Sequence, residues 1–279
     1  MTVIARPAGA ASRAAMISVA GIELELSEQG GGAPLIYLHG GAGIALDLPF
    51  LALLAGDRRV VAPSHPGFGK SSLPDWLDSV DDIAHVYLEL MDRVGLTRAD
   101  LVGLSIGGWI AAEIATKVPE RIGRLVLIGP VGVKTGTSDK LDVPDVFAMP
   151  REKLDQLRFH DPGRHAPELA TLPDEELHIV ARNSETLALL TWEPYMHNPK
   201  LKHRLHRVNV PTLFVRGASD GIVSADYLAR YAALIPQARI ETLAQAGHLP
   251  QVEQPAATAA TVLQFLQGKQ AAETPGARR

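Results

Sequence analysis

Short strand-like runs that alternate with helical stretches constrain the fold of this chain more than any other feature. Each run spans a few residues, is rich in Val, Leu and Ile or alternates in polarity, and ends near Gly, Pro or polar residues, as strands do. Strands are predicted at residues 22–26, 35–38, 60–62, 101–102, 125–128, 212–215 and 239–243, and helices at residues 83–94, 106–118, 225–234 and 257–266. This alternation predicts an α/β fold with a mostly parallel sheet, helices on both faces, and ligands at the carboxyl ends of the strands.

The pattern is interrupted once, which indicates one large domain with an insertion. Residues 21–130 and 208–270 form the predicted α/β core, and residues 131–207 form an inserted helical cap in which Pro, His and Arg recur and strand signals stop. Residues 1–20 are interpreted as a flexible leader, since arginine and proline interrupt its alanines before a signal-peptide apolar run can form. Residues 271–279 are predicted to be a disordered tail.

Composition narrows the function further. The net charge is −4 and Lys and Arg are scattered, so no basic surface for nucleic acid or an anionic membrane is predicted. The absence of cysteine excludes disulfides, thiolate metal sites and a cysteine nucleophile. We therefore expect a small-molecule substrate, no cofactor, no metal and a cytoplasmic location, while the oligomeric state stays open.

The pentapeptide Gly103-Leu104-Ser105-Ile106-Gly107 follows a predicted strand and precedes a predicted helix. A nucleophilic serine needs this sharp turn, which lifts its oxygen clear of the sheet, and the glycines allow the close backbone approach that the turn requires. The alternative is a chance match, in which Ser105 merely caps the helix.

Three further segments supply the partners of such a serine. Gly40-Gly41-Ala42-Gly43 follows the predicted strand at residues 35–38, where a loop should provide a second oxyanion donor, so Gly41 and Ile106 are the predicted N–H donors. Asp220 follows the strand at residues 212–215, and His248 follows the strand at residues 239–243. Asp220 is therefore the predicted acid and His248 the predicted base.

With these motifs, residues 21–266 resemble the α/β-hydrolase family that carries a helical cap. The resemblance implies a Ser-His-Asp hydrolase that cleaves small carboxylic esters through an acyl-enzyme. Related capped members cleave carbon–carbon bonds of β-diketone-like acids with the same triad, and Arg182 or Lys202 could then bind the substrate carboxylate. Other relatives are slow-turnover ligand receptors. The segment at residues 65–71 also resembles the turn that follows a strand in this family, although many members carry another residue at the position of His65.

Several other residues carry weaker signals of function. Trp109 and Trp192 are candidate pocket residues, with core packing the alternative for each. Residues 67–71 end in the Gly-Lys-Ser of a phosphate loop but lack its first glycine. The spacing of His197, His203 and His206 matches no known zinc-binding motif. We therefore expect these side chains to lie on solvated helix faces or to form hydrogen bonds.

Overall fold

A computed structural model describes residues 13–137 and 139–268, which build one eight-stranded sheet. The strands are β1 (Arg13–Val19), β2 (Ile22–Gln29), β3 (Ala33–Leu38), β4 (Arg58–Pro63), β5 (Ala99–Leu104), β6 (Ile122–Ile128), β7 (Thr212–Gly217) and β8 (Ala238–Leu243). Their order across the sheet is β1-β2-β4-β3-β5-β6-β7-β8. The β1–β2 and β2–β4 pairs are antiparallel and the remaining pairs are parallel.

Helices cover both faces of this sheet. They are α1 (Leu48–Leu54), α2 (Val80–Arg93), α3 (Ile106–Lys117), α4 (Arg151–Arg158), α5 (Pro162–His165), α6 (Asp174–Thr191), α7 (Ala225–Ala232), α8 (Pro250–Glu253) and α9 (Pro255–Leu266). Side chains from α1 and α9 share a buried cluster with one face of the sheet, and those from α2, α3 and α7 share a cluster with the other. The sheet is therefore the middle layer of three.

Strand β3 shows why the central strands read as continuous apolar runs. Leu35 and Tyr37 belong to one buried cluster, and Ile36 and Leu38 belong to the other. Successive side chains point to opposite faces of a sheet, and both faces here are covered by helices. The predicted α/β fold is confirmed, and every predicted strand lies within an observed strand.

The N-terminal segment corrects one prediction. Residues 13–19 of the supposed flexible leader form β1, which pairs with β2 along its whole length. The signal was missed because β1 is an edge strand whose residues 14–16 are exposed, so it lacks the apolar content of the central strands. Residues 1–12 and the predicted tail at 271–279 lie outside the described residues.

The connection from β6 to β7 carries α4, α5 and α6, which we call the helical insertion (residues 129–211). It is attached to the core on two sides. Side chains of α6 donate hydrogen bonds to the loops that follow β3 and β4. The end of α4 accepts backbone hydrogen bonds from the loops that follow β7 and β8. The helical insertion thus spans the carboxyl ends of the parallel strands. No helix among the described residues is both long and apolar enough to cross a membrane.

Candidate active site

Ser105 lies at the junction of β5 and α3 in a backbone conformation that side chains rarely adopt. Its φ is 53° and its ψ is −113°, and its side chain makes no capping hydrogen bond to α3. The helix-cap alternative is therefore wrong. A Cβ on Gly107 would lie 2.1 Å from the Leu38 carbonyl oxygen, and one on Gly103 would lie 2.3 Å from the Gly107 carbonyl oxygen. The turn therefore needs both glycines.

Asp220 and His248 form a buried hydrogen-bonded pair on neighbouring loops. His248 Nδ1 lies 3.0 Å from Asp220 Oδ2, and the other carboxylate oxygen accepts the backbone N–H groups of Ile222 and Val223 at 2.9 and 2.8 Å. An ionised carboxylate held in this way keeps the imidazole proton on Nδ1. The Nε2 atom of His248 is then left unprotonated and able to accept a proton.

Ser105 and His248 line the same cavity, whose volume is about 880 Å³. Its walls come from the strand ends and from the helical insertion, and they are mostly apolar. The apolar lining includes Val131, Val143, Val146, Phe147, Leu154, Phe159, Leu169, Leu172, Ile179, Val180, Leu187, Met196, Ile222 and Leu249. An apolar cavity with a few converging polar groups is the usual form of a small-molecule site.

Two backbone N–H groups at this cavity have no acceptor within the described part of the chain. Ile106 is the first residue of α3, so its N–H has no intrahelical partner. Gly41 lies in the loop after β3, and its N–H donates to no described residue. Both residues line the cavity beside Ser105. Within the described residues, the two predicted oxyanion donors are therefore unpaired and border the same cavity as Ser105.

Two stacked histidines hold the loop that contains Gly41. The rings of His39 and His65 lie 3.7 Å apart, the His65 backbone N–H donates to His39 Nε2 at 2.9 Å, and His65 Nε2 donates to the His39 carbonyl oxygen at 2.9 Å. Because His39 Nε2 accepts a hydrogen bond, His39 carries its proton on Nδ1. This Nδ1–H donates to the Gly40 carbonyl oxygen at 2.7 Å. His65 Nδ1 then accepts from the Tyr87 hydroxyl. The pair is therefore neutral and structural.

Helix α6 fixes the same loop from the side of the helical insertion. Asn183 Nδ2 donates to the Ala42 carbonyl oxygen at 3.0 Å, and Asn183 Oδ1 accepts the Gly69 N–H at 2.9 Å. Thr186 donates to the Gly67 carbonyl oxygen at 2.9 Å. Because Ala42 follows Gly41 in the chain, these bonds restrict where the Gly41 N–H points. No sequence motif marks Asn183, whose role depends on helix docking.

The sequence of this chain is similar to those of known proteins. Residues 35–261 match the family described as the alpha/beta hydrolase family. A 2-hydroxymuconate semialdehyde hydrolase of Pseudomonas sp. (strain CF600) is 30% identical in an alignment that covers 90% of this chain and 92% of that protein. The chain belongs to the α/β-hydrolase family.

Solved structures resemble this hydrolase along most of its length. A carboxylesterase of Bacillus subtilis has a TM-score of 0.72 and 24% identity, and covers 93% of each chain. A meta-cleavage product hydrolase of Pseudomonas fluorescens has a TM-score of 0.75 and 22% identity, and covers 91% of this chain and 97% of that one. At these identities the two structures establish a common fold.

Replacing Asn183 with alanine is expected to lower kcat of this hydrolase about tenfold while KM changes little. The substitution frees the Ala42 carbonyl and the Gly69 N–H, so the Gly41 donor is held less firmly where an oxyanion would form. The measurement is steady-state hydrolysis of an aryl ester by the wild type and the variant.

The exposed neighbour Glu185 on the same helix supplies the control. Glu185→Ala should leave kcat unchanged, and Asn183→Asp, which keeps an acceptor for Gly69 but loses the donor to Ala42, should fall between the two. An equal loss of kcat in all three variants would show that α6 only needs to fold.

The two predicted pocket tryptophans do not line the cavity, so that prediction is wrong. Trp109 is buried beneath it, where Nε1 donates to Glu113 at 3.3 Å, four residues along α3. Trp192 is 57% exposed at the end of α6, and its ring lies against that of Phe147. The Trp109 ring packs against Gly132, where an added Cβ would lie 2.3 Å from it, so it is held in the core and not at the cavity wall.

The two predicted carboxylate-binding residues are also placed elsewhere. Arg182 donates to the backbone carbonyl oxygens of Gly69 at 3.1 Å and Ser71 at 2.5 Å, and Lys202 lies in an exposed turn away from the cavity. Arg151 and Arg158 line the cavity instead. Their helix, α4, carried no functional motif in the sequence.

The phosphate-loop-like segment at residues 67–71 has its backbone donors occupied by protein groups. The Gly69 N–H donates to Asn183, and the Lys70 N–H donates to Glu25 Oε2 at 3.1 Å. A carboxylate therefore occupies the place where a phosphate would have to bind. Within residues 13–137 and 139–268, no three His, Asp or Glu side chains are grouped as metal ligands.

Proposed function

We propose that this hydrolase cleaves a small carboxylic ester through a Ser105–His248–Asp220 triad. His248 Nε2 takes the proton of Ser105 as Oγ attacks the ester carbonyl, and Asp220 stabilises the imidazolium that forms. The N–H groups of Gly41 and Ile106 bind the oxyanion. The alcohol leaves with the proton from His248, and water then releases the acid from the acyl-enzyme.

The arrangement of three groups around one cavity carries this proposal. Ser105 and His248 line a single apolar cavity, the Asp220 pair sets the imidazole tautomer, and two unused backbone donors lie beside the serine. Each element is needed for acyl transfer and together they need no cofactor. We further propose that the helical insertion acts as the cap, since α4 and α6 provide much of the apolar wall.

A second candidate is hydrolysis of a carbon–carbon bond beside a ketone. Two observations favour it: the relative from Pseudomonas sp. is named for 2-hydroxymuconate semialdehyde, and two arginines of α4 line the cavity. The same serine would attack the ketone, and the leaving carbon would take the proton from His248. The chemistry up to the oxyanion is common to both candidates.

The test is a substrate series combined with active-site labelling. The wild type is given p-nitrophenyl acetate, butyrate, hexanoate and decanoate, and separately a dienoic ketoacid. A fluorophosphonate probe is then located by peptide mass spectrometry. We expect one probe per chain, on Ser105, and fastest turnover with medium acyl chains, because the cavity is large and apolar.

Each other result has a distinct meaning. Labelled Ser105 with ketoacid cleavage far faster than ester cleavage would establish the second candidate. Labelled Ser105 with a single burst and no sustained product would indicate a ligand receptor. A probe that reacts at no site, or at a serine other than Ser105, would contradict the triad.

A further inference from the structure

Two arginines at the ends of α4 line the cavity, and their guanidinium groups differ in the partners they contact. Arg151 is the first residue of the helix and Arg158 the last. Arg151 Nε donates to Asp155 Oδ2 at 3.2 Å, and its Nη2 donates to the Pro167 carbonyl oxygen at 3.3 Å. The charge of Arg151 is therefore balanced by a carboxylate of the protein.

Arg158 has no such balance. Its guanidinium makes no hydrogen bond and no ion pair within 4.0 Å to any residue that the structure describes. Burial lowers the pKa of Arg158; the charge of Asp155 opposes that shift and the charge of Arg151 adds to it. An arginine nevertheless stays protonated at neutral pH, so a partly buried cation remains without a bound anion.

The position of Arg158 ties it to the catalytic groups. Its carbonyl oxygen accepts the backbone N–H of His248 at 2.7 Å, so the residue begins directly beside the proposed base. Its side chain borders the same cavity as Ser105. A molecule whose carbonyl lies at Ser105 therefore shares one enclosed space with the guanidinium.

The other charged side chains along the cavity have different surroundings. Lys70 Nζ lies 3.8 Å from Glu175, and Glu25 accepts hydrogen bonds from the Ser64 hydroxyl and the Lys70 N–H. The buried carboxyl of Asp47 accepts hydrogen bonds from Tyr37 and Gln251. Glu176 is exposed. Among the lysine and arginine residues that line the cavity, Arg158 is the one that no described carboxylate contacts.

We propose that Arg158 binds a carboxylate of the substrate, so that the substrate class is an acid that carries its scissile ester in the same molecule. A planar guanidinium offers two parallel N–H donors that match the two oxygens of a carboxylate. One uncompensated positive charge neutralises one carboxylate, whereas a phosphate dianion would leave a negative charge in an apolar cavity. This proposal rests on the proposed Ser105 chemistry.

The test compares two ester series of matched length. One consists of mono-p-nitrophenyl esters of glutaric, adipic and suberic acids, which carry a free carboxylate. The other consists of p-nitrophenyl pentanoate, hexanoate and octanoate, which are neutral. Arg158→Gln is expected to lower kcat/KM about thirtyfold for the best carboxylate ester and less than about threefold for its neutral counterpart.

Three further variants make the result specific. Arg158→Lys keeps the charge without the fork and should lose part of the preference for the carboxylate ester. Arg158→Met removes the charge with an apolar side chain that tolerates burial, and it replaces Arg158→Gln if that variant folds poorly. Arg164→Gln removes an exposed charge from α5, outside the cavity, and should alter neither series.

Failure of this inference differs from failure of the proposed function. Equal losses on both ester series, or no loss on either, would overturn the carboxylate site while Ser105 labelling and neutral-ester turnover stand. A wild type that neither reacts with the fluorophosphonate probe nor hydrolyses any ester would instead overturn the Ser105 mechanism.

Discussion

Replacing Ser105 with alanine is expected to lower kcat for the best ester about a millionfold, to the level that binding and oxyanion contacts alone can supply. The attacking oxygen is lost, and the Asp220–His248 pair has no nucleophile to deprotonate. Fluorophosphonate labelling should disappear in the same variant. Steady-state ester assays measure the loss of kcat, and intact-protein mass spectrometry measures the loss of labelling.

The fold should be unaffected, which a pair of variants can show. Ser105 has a positive φ, which costs on the order of 1–3 kcal/mol for a residue with a Cβ. Alanine keeps that cost and glycine removes it. Both variants should be inactive, with Ser105→Gly more stable to urea than Ser105→Ala by about 1 kcal/mol. Residual turnover at a few per cent in either variant would exclude Ser105 as the nucleophile.

Acid is expected to destabilise the protein through its neutral histidine pair, and Asp47 is expected to hide much of this effect. Burial lowers the pKa of His39 from 6.5 to about 4, opposed by its hydrogen bond to Gly40. Burial and the adjacent His39 lower the pKa of His65 well below 6.5. Unfolded histidines take up protons below pH 6.5 while these two do not. The free energy of unfolding therefore falls as the pH drops from 6.5 towards 4, by about 3 kcal/mol for His39 alone.

Asp47 acts in the opposite direction over the same interval. Burial raises its pKa from 3.8 to about 7, although hydrogen bonds from Gln251 and Tyr37 favour the charged form. The folded protein therefore binds this proton below about pH 7, and the unfolded chain binds it only near pH 3.8. Asp47 therefore raises the free energy of unfolding as the pH falls from 7 towards 3.8. This increase offsets the decrease caused by His39.

Asp47→Asn removes the offset and should make the protein markedly more acid-sensitive. Between pH 7 and pH 4.5, the variant is expected to lose about 3 kcal/mol more of its unfolding free energy than the wild type loses. Urea unfolding followed by circular dichroism at several pH values gives both curves. The difference is large because whole domains are stable by only about 5–15 kcal/mol.

The exposed Asp75 supplies the matched control. Asp75→Asn changes the net charge by the same amount and should give a curve parallel to that of the wild type. If the Asp47→Asn curve also stays parallel to the wild type, Asp47 is ionised in the folded protein throughout this pH range and the opposing effect does not exist.

Residues at strand ends were predictable because a parallel sheet collects them at one edge. Ser105, Asp220 and His248 each follow a predicted strand, and the structure places the serine and the histidine on one cavity with the aspartate behind the histidine. The glycine loop after β3 was found for the same reason. Local turn chemistry and strand order sufficed for these groups.

The pocket walls were not predictable in the same way. Trp109 and Trp192 were predicted from residue type alone, but packing against Gly132 buries the first ring in the core, and the second ring is exposed to solvent. The roles proposed for Arg158 and Asn183 depend on how α4 and α6 dock on the core, and docking depends on contacts distant in sequence. Amphipathic patterns specify which face of a helix is apolar and leave its partner open.

The double attachment of the helical insertion limits how new specificities can be introduced. Its Asn183 contacts the loop of the proposed oxyanion donor, and the Arg158 carbonyl holds the backbone of His248. A mutagenesis library spread evenly over α4 and α6 would therefore damage turnover as often as it changed selectivity. Positions such as Leu154 and Ile179, which border the cavity, are better choices for diversification. In this hydrolase, the helices proposed to bind the substrate also hold the loops of the proposed catalytic groups. Selectivity can then be altered without loss of rate only through side chains that make no hydrogen bond to those loops.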